Sequence, residues 1–122
     1  MTKERFEEIL KQTKVTKDTE IVRRICEENQ ITDLLYNLGK EKSLIITPVM
    51  INSWPAIVCF ERFNKINLSC YAIPPKFKHE AHEFFPVVIA MLKNEASEKI
   101  GREPSSSYVT VVDSPKQDQS RN

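Results

Sequence analysis

Two cysteines and two histidines are the first residues in this 122-residue chain whose types could do chemistry together. His79 and His82 are three apart, which puts them on the same side of a helix. Cys59 and Cys70 lie on two strand-like runs whose connecting turn would set them opposite each other. Two Cys and two His make a zinc ligand set. The spacing matches no zinc-finger pattern, however, and both thiols fall where small core residues belong. His79-Glu80-Ala81-His82 is also one residue short of the metalloprotease helix, which needs His at i and i+4. The expectation is no metal and no cofactor, with a zinc-stabilised domain on Cys59, Cys70, His79 and His82 as the outlying alternative. A Cys59–Cys70 disulfide is not expected, because a hydrogen-bonded pair holds its side chains too far apart. Nucleophilic catalysis has no better start. Cys26, Cys59 and Cys70 all fall on apolar faces, where a thiolate is disfavoured, and no Ser stands in an elbow motif. With two glycines in the chain there is no Gly-rich phosphate loop. No enzyme is expected.

Residues suited to recognition are more numerous. Trp54, between Ser53 and Pro55, reads as a turn residue that either anchors a partner or lids the local core. The run Leu44–Ile51 contains Pro48, which cannot donate to a ladder, so it is expected at a sheet edge or at a bulge, where another strand could add. One face of the following hairpin carries Val58, Phe60, Tyr71 and Ile73, a candidate self-association surface unless the N-terminal helices cover it. In the polar tail, Tyr108-Val109-Thr110-Val111-Val112-Asp113-Ser114-Pro115 resembles a SUMO-interacting motif, an apolar strand followed by acid. That resemblance implies strand addition to a partner through Val109, Val111 and Val112. The equal alternative is that the segment folds back on the domain's own sheet edge. Lys11, Lys14, Lys17, Arg23 and Arg24 could form a basic strip beside a helix-turn-helix-like segment, residues 20–38. Residues 1–40 carry eight basic and eight acidic groups, and the chain's net charge is +1, which weighs against phosphate binding.

The elements that must position these residues follow from periodicity. Thr2 can cap a helix with Phe6, Ile9 and Leu10 on one side. Lys14–Thr19 reads as a polar connection whose Thr and Asp residues are good caps. Glu20–Leu38 has two apolar sets on opposite faces, so a break near Asn29-Gln30 is expected, with Gly39 as a left-handed cap. Three strands follow, Leu44–Ile51, Ala56–Phe63 and Ile66–Ile73. The last two are joined by a two-residue turn, Asn64-Lys65, that pairs Phe63 with Ile66 and Cys59 with Cys70. Glu61 is the exception on an otherwise apolar hairpin face. Pro74-Pro75 stops the last strand. Phe77, Ala81, Phe84, Phe85, Val88, Met91 and Leu92 then mark a helical stripe, kinked or restarted at Pro86 and ended by Gly101.

The expected architecture is α+β: N-terminal helices, a three-stranded antiparallel meander and a long C-terminal helix, with the helices on one face of the sheet. At the level of element order alone it resembles the small α+β interaction heads of the RWD type. Residues 1–101 form one domain, and residues 102–122 are expected as a disordered tail with the short apolar segment 108–112. The Lys- and Glu-rich start is not a signal peptide, and the longest apolar run, Phe84–Leu92, is too short to span a bilayer. An intracellular protein, cytoplasmic or nuclear, with reduced thiols is expected. Its expected role is a non-catalytic protein–protein interaction module, an adaptor or complex subunit, holding another protein or a second copy of itself as a homodimer. A nucleic-acid-binding regulator is the alternative.

Overall fold

The computed structural model describes residues 1–112, so the readings that fall on Asp113, Ser114 and Pro115 lie outside the described residues. The elements run α1 (Lys3–Gln12), β1 (Lys14–Thr16), α2 (Thr19–Glu28), α3 (Thr32–Leu38), β2 (Leu44–Ile51), β3 (Trp54–Arg62) and β4 (Ile66–Ala72). A 3-10 turn (Pro75–Glu80), α4 (Ala81–Ile100) and β5 (Val109–Val111) complete them. The class is α+β as expected, but the sheet has five strands in the order β1-β4-β3-β2-β5, not three. The stretch read as a polar connection supplies β1, antiparallel to β4. The tail segment supplies β5, parallel to β2 and the one parallel pair in this sheet.

Helices cover both faces of the sheet rather than one. Strand residues alternate between two cores. Leu44, Ile46, Ile57, Cys59 and Ile73 pack with Ile9 of α1 and with Phe84, Val88 and Leu92 of α4. Ile45, Val58, Phe60, Leu68, Cys70 and Ala72 pack with Val22 and Cys26 of α2 and Leu35 of α3. Each fully buried side chain of this size stabilises by about 1.5–3 kcal/mol.

The β3–β4 register differs by one residue from the expected one. Arg62 pairs with Ile66, Phe60 with Leu68, Val58 with Cys70 and Cys59 with Ser69, across a three-residue turn, Phe63–Lys65. The two-residue turn would have needed positive φ at Asn64 and Lys65, and neither has it. The observed register also lines up a wholly apolar face, Ala56, Val58, Phe60, Leu68, Cys70 and Ala72, against α2 and α3. The positive-φ pair sits instead at Asn52 and Ser53, the turn between β2 and β3.

Several local signals hold. Thr2 accepts from the Arg5 N–H at 3.1 Å, and Asp18 caps α2 through the Glu20 and Ile21 N–H groups. The break near Asn29-Gln30 separates α2 from α3, and Gly101 ends α4 at φ 70°. Gly39 does not follow the left-handed reading: its φ is −66°. A Cβ there would lie 2.7 Å from Cζ of Phe60, so close approach to the core, not backbone freedom, requires the glycine. The helical restart falls at Ala81, and α4 then continues through Pro86. Arg5 clamps α1 to the 3-10 turn with a two-pronged bond to Glu80, at 2.5 and 2.6 Å, which holds the Glu80 carboxyl below its ordinary pKa.

Candidate functional site

β2 bonds to β3 along its whole length, but among the described residues only half of its other edge is filled. The Leu44 N–H donates to the Tyr108 carbonyl at 3.0 Å, and the Val112 N–H donates to the Ile46 carbonyl at 2.8 Å. In this ladder the even-numbered residues of β2 turn their backbone groups toward β5. The next donor due is therefore the N–H of residue 48, and proline has none. Val112 N–H to Ile46 is the last bond of this ladder among the described residues. β2 is an inner strand, between β3 and β5, but on the β5 side the Pro48 carbonyl and both backbone groups of Met50 have no ladder partner among the described residues.

Beside that edge runs a groove of about 350 Å³. Pro48 and Met50 form one side of it, Phe85, Pro86 and Ile89 of α4 the other, and Val111 its end. Among the described residues His82 is the one polar side chain in its lining, 3.6 Å from the Glu83 carboxylate. The groove is thus an apolar trough with an unpaired strand edge along one rim. Such a shape accepts an extended segment, whose backbone bonds to the rim while alternate side chains enter the trough.

The structure brings together only some of the expected partner-binding residues. Val111 and Val112 line the groove, while Val109 is buried in the core over α4. Of the two readings of the tail segment, residues 109–111 take the one on the domain's own sheet. The hairpin face expected as a dimer surface is not a surface. Val58 and Phe60 are buried under α2 and α3, and Ile73 is buried on the opposite side with Tyr71 half-buried beside it, because the register shift sends the two strands' residues to different faces. Trp54 is not at a loop tip. It opens β3 paired with Ile51, half-buried against the second core.

The metal and nucleic-acid residues are likewise dispersed. Cys59 and Cys70 lie in different cores on opposite faces of the sheet, so they cannot share an ion with His79 and His82. Among the described residues no group of three or more His, Cys, Asp or Glu is placed to hold a metal. Burial pushes the thiols of Cys59 and Cys70 up to about 12 and that of Cys26 up to about 11, the opposite of an activated nucleophile. Lys11, Lys14, Lys17 and Arg24 are exposed, but they are distributed over α1, β1, the connection to α2, and α2 itself. Arg23 is engaged by Glu20 at 2.6 Å. Tyr36 of α3 stands edge-on to Phe60, with ring centroids 5.5 Å apart, so α3 turns its aromatic residue inward rather than toward a groove of DNA.

The chain matches no family model, no curated protein and no solved structure, so the site is read from its own chemistry. Among the described residues no helix is long and apolar enough to cross a membrane. Met50, Phe85, Pro86 and Ile89 were not legible as site residues. The one signal was Pro48, which marked the edge but not the trough beside it.

Proposed function

We propose that this chain is a non-catalytic protein–protein interaction module that holds an extended segment of a partner protein along the open half of β2. The observation that carries this is the adjacency of two features: backbone groups of β2 that have no ladder partner among the described residues, and an apolar trough directly beside them. β5 itself supports the reading, because it is an apolar extended segment lying in the same lane. The occupant proposed is an apolar extended segment of another protein. Residues 113–122, Asp-Ser-Pro-Lys-Gln-Asp-Gln-Ser-Arg-Asn, bring no apolar side chain beyond Pro115 to fill the trough.

A peptide selection against the whole protein tests this. Winners should alternate β-branched or other apolar residues. Their affinity should fall about tenfold or more in Ile89→Asp, since burying an unpaired charge costs several kcal/mol. Ile21→Asp, on the exposed side of α2, serves as the control and should leave binding intact. Winners that bind the Ile89→Asp protein as well as the parent would contradict the proposal.

A further inference from the structure

On the other flank of α4 the sheet breaks its own pattern. Over most of β2 and β3 the face toward α4 is apolar, but β4 places Asn67, Ser69 and Tyr71 there, and β3 places Glu61 there one residue before its end. Apolar residues belong on a helix-covered sheet face, and helices do not fully close over these four. They floor a cavity of about 230 Å³, walled by Lys17 on one side and by Glu95 and Lys99 of α4 on the other. Glu61, whose side chain is 16% exposed, accepts from the Lys99 ammonium at 2.8 and 3.0 Å, and this pair closes the far end.

A second cavity of about 170 Å³ adjoins the first and shares Lys17, Tyr71, Leu92 and Glu95 with it. It is lined by Leu10, Val15, Val88 and Met91. Leu10, Val15 and Met91 are 38%, 47% and 42% exposed, so three of the seven exposed large apolar residues among those described gather at this one place. Single exposed apolar residues are ordinary, but a converging set beside a polar cavity is not.

The charges narrow the ligand. Lys17 and Glu95 border both cavities, and neither makes an ion pair among the described residues. With Glu61 and Lys99 the site holds two positive and two negative groups. A phosphate or other polyanion would meet two carboxylates, and a polyamine two ammonium groups. A zwitterion satisfies both signs at once. Together the two volumes reach only the lower part of the roughly 300–1,000 Å³ of ligand sites, and the neighbouring, largely apolar cavity has room for one side chain.

We propose that these two cavities bind a free α-amino acid with an apolar side chain. Its ammonium group pairs with Glu95, its carboxylate with Lys17 and the Ser69 hydroxyl, and its side chain lies between Val15 and Met91. The N-terminal residue of a peptide offers the same ammonium and side chain but no free carboxylate.

Titration calorimetry on the full chain distinguishes them. L-Leucine and L-methionine should bind saturably. Glycine, L-leucinamide and N-acetyl-L-leucine should each bind at least about tenfold more weakly, because each removes one of the three contacts. Glu95→Gln should abolish the preference for leucine over N-acetyl-leucine, and Lys17→Met the preference over leucinamide. Both positions are exposed, so unchanged melting temperatures are expected of the variants. No saturable binding of leucine up to about 10 mM, leucinamide binding as well as leucine, or unaltered preferences in both variants would overturn the proposal. None of these results bears on the β2 groove, which uses other residues of α4.

Discussion

Gly39 and Thr47 are the residues whose neighbours determine them most closely. A methyl group on Gly39 would meet the Phe60 ring at 2.7 and 2.8 Å and the Leu35 carbonyl oxygen at 3.0 Å. Phe60 is fully buried and cannot yield cheaply. Gly39→Ala is therefore expected to destabilise the fold by about 1–3 kcal/mol, as overpacking does, and urea unfolding measures it. A left-handed cap would have predicted a loss too, but the conformation differs, and only the structure shows that a ring sets the residue type. Thr47 is fully buried, and its hydroxyl finds no partner within hydrogen-bonding distance among the described residues. An unsatisfied buried hydroxyl costs about 1–3 kcal/mol, so Thr47→Val is expected to raise the unfolding free energy by about 1 kcal/mol. A loss of stability would mean that the hydroxyl is bonded.

At the scale of elements, what was legible was local. The Thr2 and Asp18 caps, the Asn29-Gln30 break, Gly101 and the helical stripe of α4 are all written in residues within a turn of one another. Pairings between distant segments were not. β1 has three residues and β5 has three, too short for a period to declare itself, and each is a strand only because a longer strand lies beside it. The hairpin slipped by one residue because Asn64-Lys65 resembled a two-residue turn. That slip exchanged the faces of one strand relative to the other, and with them the supposed dimer surface and the Cys59–Cys70 pair. Pro48 was read as the mark of an edge strand or a bulge, whereas β5 beside β2 makes β2 an inner strand. That the proline removes the donor next due toward β5 followed only from the parallel register. Pro48→Val restores a donor at the edge of β2. The variant is expected to self-associate more readily than the parent, as longer unpaired edges do, with light scattering over a concentration series as the measurement. An unchanged monomer mass at all concentrations would show that Pro48 does not protect this edge.

At the scale of the whole molecule, three buried thiols tie stability to pH. In the unfolded chain a cysteine titrates near about 8.5. Folded, Cys26 is pushed up to about 11 and Cys59 and Cys70 to about 12, burial being the largest cause in each case. Below the unfolded value both states hold the protons and the full stability is present. Above it only the unfolded chain releases them, so stability falls as pH rises toward the folded values, by about 1.4 kcal/mol per pH unit for each thiol. Urea unfolding at pH 7.5, 9 and 10.5, taken as about the lower, onset and middle points of that window, should show this decline. Cys59→Ala should show a shallower slope than the parent; equal slopes would mean that the Cys59 thiol ionises as easily folded as unfolded.

The β5 side of β2 joins these scales, because one backbone group there, the Met50 N–H, is a donor without a ladder partner among the described residues. Its hydrogen exchange, followed by NMR in the free protein and in the presence of a selected strand peptide, tests that side most directly. Fast exchange alone and strong protection on binding are expected, with the Leu44 amide, already bonded to Tyr108, slow in both states. A Met50 amide that is protected in the free protein, or that stays fast with the peptide bound, would contradict strand addition at β2.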